Sequence, residues 1–257
     1  MVKFLEKIDY AKLHEEVEQT IKPKGAPVGI KLFEDMTQFE KLHLKSPERQ
    51  LALCQVLKYS SVYERTFGVQ GKDIDACVVG TYVCGFFQPP SDLKQRWIEG
   101  WKYTDKKFDA LVKGTHALPM GKYKGLLVAT LKFFKYAKTD PDMVFIPINS
   151  TQAYLLLVGY FDATGEKPTS DFCGHAACEI IAATLNKKKP WTTIPCGGAR
   201  AIAEAQDDEI WISMLPAQLD TTINRLKSIG LKYPPPIYQM LQMKPDPAHM
   251  LTGLIKR

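Results

Sequence analysis

"DFCGHAACEIIAATLNKKKPWTTIPCGGAR", Asp171–Arg200, packs three of the chain's six cysteines and one histidine into thirty residues. Four of its glycines and prolines stand close to a cysteine. "HAACEIIAATLN" reads as a helix ended by Asn186 and the lysine run Lys187, Lys188 and Lys189. "PWTTIPC" reads as a strand, and "CGGAR" as a Gly-rich loop that puts the Cys196 thiol where backbone N–H groups can approach a ligand. Thiols this dense are catalytic nucleophiles, ligands to a metal cluster, or small apolar packing residues.

An earlier stretch repeats the plan. "LCQVLKYSSVYERTFGVQGKDIDACVVG" also carries a cysteine early in a helix, a linker, then a second cysteine beside small residues. Cys54 and Cys77 enclose 22 residues there, and Cys178 and Cys196 enclose 17 in the later stretch. Each stretch follows an apolar strand, "PVGIKLF" and "MVFIPIN" respectively. Two related halves, 22–113 and 114–230, packed about a two-fold would bring these four cysteines together. Four converging thiolates suit a [4Fe–4S] cluster or a structural zinc. Close C-x2-C pairs are absent, which favours a cluster shared between halves over a zinc knuckle. Helix N-termini would suit its negative charge. Cys84 and Cys173 lie outside this pattern and read as packing residues or neighbours of the ligands. His175, Lys31 and Arg200 are the polar candidates for orienting a small anionic substrate. The apolar flanks "VVGTYV" and "EIIAA" would limit solvent access.

Outward from these stretches, the chain is an ordinary globular sequence of 257 residues, 45% apolar and 24% charged, with a formal charge of +6. That composition supports a buried core without disulfides. A single globular domain over 1–257 is expected, with 231–257 as a C-terminal extension that begins in "YPPPIYQM". The first helix is predicted from about Glu6 to Ile21, and a strand at Val28–Phe33. A helix is predicted to start with Ser46 as N-cap and Pro47 at its first position. Another starts at Ser91, with Trp97 and Trp101 one turn apart and read as core. "DACVVGTYVCGFF" is a strand or a buried turn. "YKGLLVATLKFF", "PDMVFIPI" and "DEIWISM" are strands. "NSTQAYLLLVGYF" is a buried helix capped by Asn149. "AQLDTTINRLKSIG" is amphipathic, with Leu219, Ile223, Leu226 and Ile229 in one stripe and Gly230 as its stop. Helices and strands mix without regular βαβ alternation, so the fold class is α+β: a mixed sheet with flanking helices.

The basic residues form no stripe interleaved with aromatics, so nucleic-acid binding is not expected. The longest apolar run, Ala153–Phe161, is too short to span a bilayer. No GxGxxG or Walker loop is present. The start is a charged amphipathic pattern and not a signal segment, which points to the cytoplasm, where cysteines stay free or bind metal.

The order "PVGIKLF", "CQVLKYS", "ACVVG", "PDMVFIPINSTQAYLLLVGY", "CEIIAATL", "IPCGGAR" and "DDEIWISM" resembles the uncharacterised prokaryotic ArCR family, domain of unknown function 169. The resemblance spans roughly Ala26 to Ile229 and implies that the recurring cysteines are Cys54, Cys77, Cys178 and Cys196. Relatives usually carry an acidic residue near the end of the "PCGG" motif, where this chain has Ala199. The family brings no activity with it. Locally, "CGHA" followed by "PCG" is similar to the active-site motifs of proline racemase-like and diaminopimelate epimerase-like enzymes, which would make Cys173 and Cys196 an acid–base pair.

The leading expectation is therefore an iron–sulfur redox protein of anaerobic metabolism, with a redox partner protein or a small anionic substrate. The first alternative is a cofactor-independent two-cysteine racemase or epimerase. The second is a non-enzymatic binding or assembly subunit, a homo-oligomer or part of a complex, presenting Trp101, Tyr103 and Tyr123.

Overall fold

The computed structural model describes residues 7–172 and 174–235. In chain order it contains α1 (Tyr10–Ile21), β1 (Val28–Phe33), α2 (Met36–Glu40), α3 (Leu53–Val62), β2 (Phe67–Val69), α4 (Val78–Val83), α5 (Leu93–Trp101), α6 (Asp105–Gly114), β3 (Gly125–Thr130), β4 (Met143–Ile148), α7 (Ser150–Thr164), β5 (Thr169–Asp171), α8 (Ile180–Lys187), β6 (Trp191–Thr193), α9 (Gly197–Ile202), β7 (Ile210–Met214) and α10 (Pro216–Ser228). The seven strands form one mixed sheet in the order β2-β3-β1-β4-β7-β6-β5, antiparallel except for β5 with β6. The α+β architecture read from the sequence is the one found.

The central strands are buried on both faces, as their continuous apolar runs require. Alternation sorts their side chains. Ile30, Val128 and Phe145 point to one face, whereas Ala129, Val144 and Ile146 point to the other. The second face is covered by α1, α7 and α10, whose apolar stripes (Leu13, Val17, Leu156, Ile223) fill it. Asn149 caps α7 as its residue type predicts: its side chain accepts from the Gln152 N–H at 2.9 Å, and Gln152 returns the bond at 2.8 Å. A Cβ at Gly159 would lie 2.6 Å from Leu226, so this glycine lets α7 and α10 approach closely.

The first face is covered by shorter pieces: α3, α4, α8 and α9. Connections on this face repeat about the central β1–β4 pair. From β1 the chain runs through α3, β2 and α4 and comes back as β3 beside β1. From β4 it runs through α8, β6 and α9 and comes back as β7 beside β4. Both α4 and α9 are six residues long and directly follow a cysteine. The α5–α6 hairpin is inserted before β3, so β3 lies beyond residue 114 and yet sits on the β1 side of the sheet.

Several boundaries differ from the sequence reading. The helix expected at Ser46 begins at Leu53. Residues 51 and 52 are instead held extended: the Leu51 N–H donates to the Asp73 carbonyl, and Ala52 bridges Asp75. That pairing outweighs the Ser-Pro start signal. "VVGTYV" is a short helix, neither strand nor turn, and "CGGAR" opens one too. The α5 cap falls on Asp92, one residue after Ser91. Trp101 is 56% exposed and is not core, because it ends a helix with no fully buried residue. Ile229 is also exposed. Residues 236–257, most of the expected extension, lie outside the described residues.

Candidate functional site

Cys54 stands in the first turn of α3, and Cys77 immediately precedes α4. Cys178 is the middle residue of a 3-10 turn, Ala177–Glu179, that leads into α8. Cys196 immediately precedes α9. These four segments come from both sides of the β1–β4 axis, and their four cysteines line one cavity of about 170 Å³. None of the four is in a disulfide. His175 lines the same cavity, together with Trp97 and Trp101 from α5.

Small residues and side-chain ties set the geometry. Gly80 brings α4 onto α3, since a Cβ there would lie 2.8 Å from the Leu53 Cβ. The Gln55 carboxamide accepts from the Ala52 N–H at 2.8 Å, capping α3, and donates to the Ile202 carbonyl at 2.9 Å, which ties α3 to α9. One turn from Cys54, the fully buried Lys58 ammonium donates to both Glu209 carboxylate oxygens, at 2.9 and 2.7 Å. The Trp211 indole N–H also donates to Glu209, at 2.6 Å. Arg200 Nε donates to the Pro195 carbonyl and its Nη1 to that of Gln206, each at 3.2 Å. Arg200 therefore braces the turn that carries Cys196 and does not line the cavity. At Cys178 the chain turns through Ala176 with φ of 52°, a left-handed conformation unusual for a residue with a Cβ. The buried Glu179 carboxylate accepts from the His116 N–H at 2.7 Å, fixing that turn against the end of α6.

The electrostatics are those of an apolar pocket. Burial pushes the Cys54 thiol up to about 12, helped by the neighbouring Cys196 and Cys77. Burial likewise holds Cys178 well above the ordinary thiol range, with Cys77, Cys196, Cys54 and Cys84 adding to it. These thiols are protonated at neutral pH and are poor nucleophiles. His175 is the cavity's one imidazole; its Nε2 is hydrogen-bonded to the Tyr103 hydroxyl at 2.5 Å, and its ring packs edge-on to Trp101.

Lys31 is elsewhere. It lies on β1, 2.9 Å from Asp142, and lines a separate polar pocket with Lys122 and Lys188. Cys84 is fully buried at the end of α4, off the cavity, and its thiol is pushed up to about 12 by burial. Cys173 lies outside the described residues. Sequence reasoning missed Gln55, Lys58 and Glu209. Lys58 was legible only as a lysine on an otherwise apolar helix face, since its partner is 151 positions away.

The family model for the uncharacterised ArCR family, domain of unknown function 169, matches residues 16–225. The chain belongs to the ArCR family. No curated protein and no solved structure matches it. Among the described residues of this ArCR chain, no three His, Cys, Asp or Glu side chains form a group that could hold a single metal ion. None of its described helices is long and apolar enough to cross a membrane.

Proposed function

We propose that this ArCR protein binds a [4Fe–4S] cluster through Cys54, Cys77, Cys178 and Cys196 and acts as an electron-transfer protein. The observation that carries the reading is the gathering of four cysteines, from four separate segments, on one cavity. The donor set fits: four soft sulfurs and apolar walls are the environment that thiolate-ligated clusters occupy. Four ligands of one zinc would need sulfurs roughly 3.8 Å apart, as bonds of about 2.3 Å in a tetrahedron dictate. Thiolates around a cubane each meet a different iron and stand further apart than the ligands of one zinc. The two related halves belong to the same proposal, each supplying one pair of cysteines.

When bound, such a cluster supplies a one-electron couple. The chain's own residues hold and insulate it. Leu53, Val79 and Ala176 keep the cavity apolar. Trp101 and Ile202, both lining the cavity and 56% and 41% exposed, mark the rim that a one-electron partner protein would approach. The two-cysteine racemase reading has no described pair to stand on: Cys196 lines the cavity, and Cys173 lies outside the described residues.

Anaerobic purification with iron and labile sulfide assayed beside the visible spectrum tests the proposal. About four irons and four sulfides per chain, with a broad absorption that bleaches on reduction, is the expected result. A colourless chain without iron after attempted reconstitution overturns it.

A further inference from the structure

The α5–α6 hairpin covers a second cavity, of about 160 Å³, beside the thiol cavity. The two share three wall residues, Val79, Trp97 and Ala176. A ring placed in the second cavity would therefore lie against side chains that also line the thiol cavity. The hairpin is lightly anchored: α5 has no fully buried residue, and α6 has only Phe108, whose ring meets Trp97 edge-on at 6.1 Å.

The walls are aliphatic and aromatic, with Leu93, Leu111 and Val112 prominent. The one charged wall residue is Lys94, and it is committed. Its ammonium lies 2.9 Å from both Asp105 and Asp109, which neutralise it. Thr115 is also engaged, its hydroxyl donating to the Leu111 carbonyl at 2.9 Å. Among the described residues no cation beyond this paired lysine lines the cavity to hold a carboxylate or a phosphate. In size the cavity matches the apolar cavities of about 150 Å³ that take up benzene.

We infer that this second cavity binds the apolar body of a small uncharged ligand, of about one aromatic ring, beside the thiol cavity. Of the three residues expected to orient an anionic substrate, Lys31 and Arg200 lie off these cavities and are engaged elsewhere, and only His175 lines the thiol cavity. The inference deepens the proposed function only by placing a ligand beside its centre; ring binding itself does not depend on iron.

Calorimetric titration of the chain as purified, with benzyl alcohol and with benzoate, tests it. Benzyl alcohol is expected to bind with a negative heat-capacity change, the mark of apolar burial. Benzoate, the same ring with a charge, is expected to bind at least about tenfold more weakly, since the cavity cannot compensate a desolvated carboxylate. Val112→Phe and Leu111→Phe, which fill the cavity from α6, are each expected to weaken benzyl alcohol about tenfold or more while the iron content stays unchanged. Absence of benzyl alcohol binding, or benzoate binding as tightly, overturns the inference. The wild-type pair decides this alone if either variant folds poorly. Iron without ring binding leaves the cluster proposal standing, and ring binding without iron leaves this one.

Discussion

The two faces of the sheet are built differently. One is sealed by α1, α7 and α10, of 12, 15 and 13 residues, whose stripes interlock without a thiol. The other carries α3, α4, α8 and α9, of 10, 6, 8 and 6 residues, with five cysteines, two cavities and a buried ion pair. Long helices bury continuous stripes and need nothing else. Short helices bring many chain ends to one place, and chain ends are where side chains from distant segments can converge. The face of α1, α7 and α10 is continuous apolar packing, and the proposed chemistry sits on the face of short helices.

The sharpest challenge to that division is Glu209→Ala, because it asks how much stability the chemical face holds. It strands the buried Lys58 ammonium and is expected to destabilise the fold by about 3–5 kcal/mol. Lys58→Met with Glu209→Leu should recover most of that loss in denaturant unfolding. If the single change costs under about 1 kcal/mol, the pair is not holding α3 to β7. Leu226→Ala probes the helical face. It should cost about 2–5 kcal/mol through the cavity opened beside Gly159, with iron content unaltered. Cys178→Ser should do the reverse: it should abolish cluster assembly while moving the unfolding midpoint of the metal-free chain little. If both variants lose iron in proportion to their stability, the two faces are not separable.

The faces should also differ in pH response. Cys54 and Cys84 are held at about 12 in the fold, above the ordinary thiol value of 9.0, so the folded state keeps protons that the unfolded state releases. Their contribution is complete below about pH 9 and is lost as pH rises from there toward 12. On the helical face, burial lowers His14, whose Nε2 lies 3.3 Å from Glu18 without hydrogen-bond geometry. Its contribution is complete above about pH 6.5 and is lost as pH falls through the lowered value. Unfolding of the metal-free chain across pH 5–11 should give a plateau bounded by these two losses. His14→Phe should flatten the acid side alone. The smallest expected effect is at Ala176, where Ala176→Gly should relieve the left-handed backbone and stabilise by up to about 1 kcal/mol. A loss instead would mean that the Ala176 methyl is needed as the shared wall of the two cavities.

Much of the fold was legible because its strands are continuous apolar runs and its long helices carry clean stripes. α7 announced itself through its apolar run and the Asn149 cap, and α10 through Leu219, Ile223 and Leu226. The cavity's four cysteines were selected by comparing two stretches of chain, since each pair recurs on a helix start and ahead of a small-residue turn. The errors fell on the short helices. α4 and α9 are too short for a period to develop, and the start of α3 was set by pairing with residues 73–76, which a local start signal cannot anticipate.

The sequence by itself determined the main strands and long helices, the α+β class and which four thiols belong together, because hydrophobic period and residue order are local properties. Only the tertiary structure decided where those thiols meet, that Lys31 and Arg200 are engaged elsewhere, and that Lys58 finds Glu209. These depend on the antiparallel β1–β4 pairing at the centre of the sheet, a contact between segments more than a hundred residues apart, and no local pattern encodes its register.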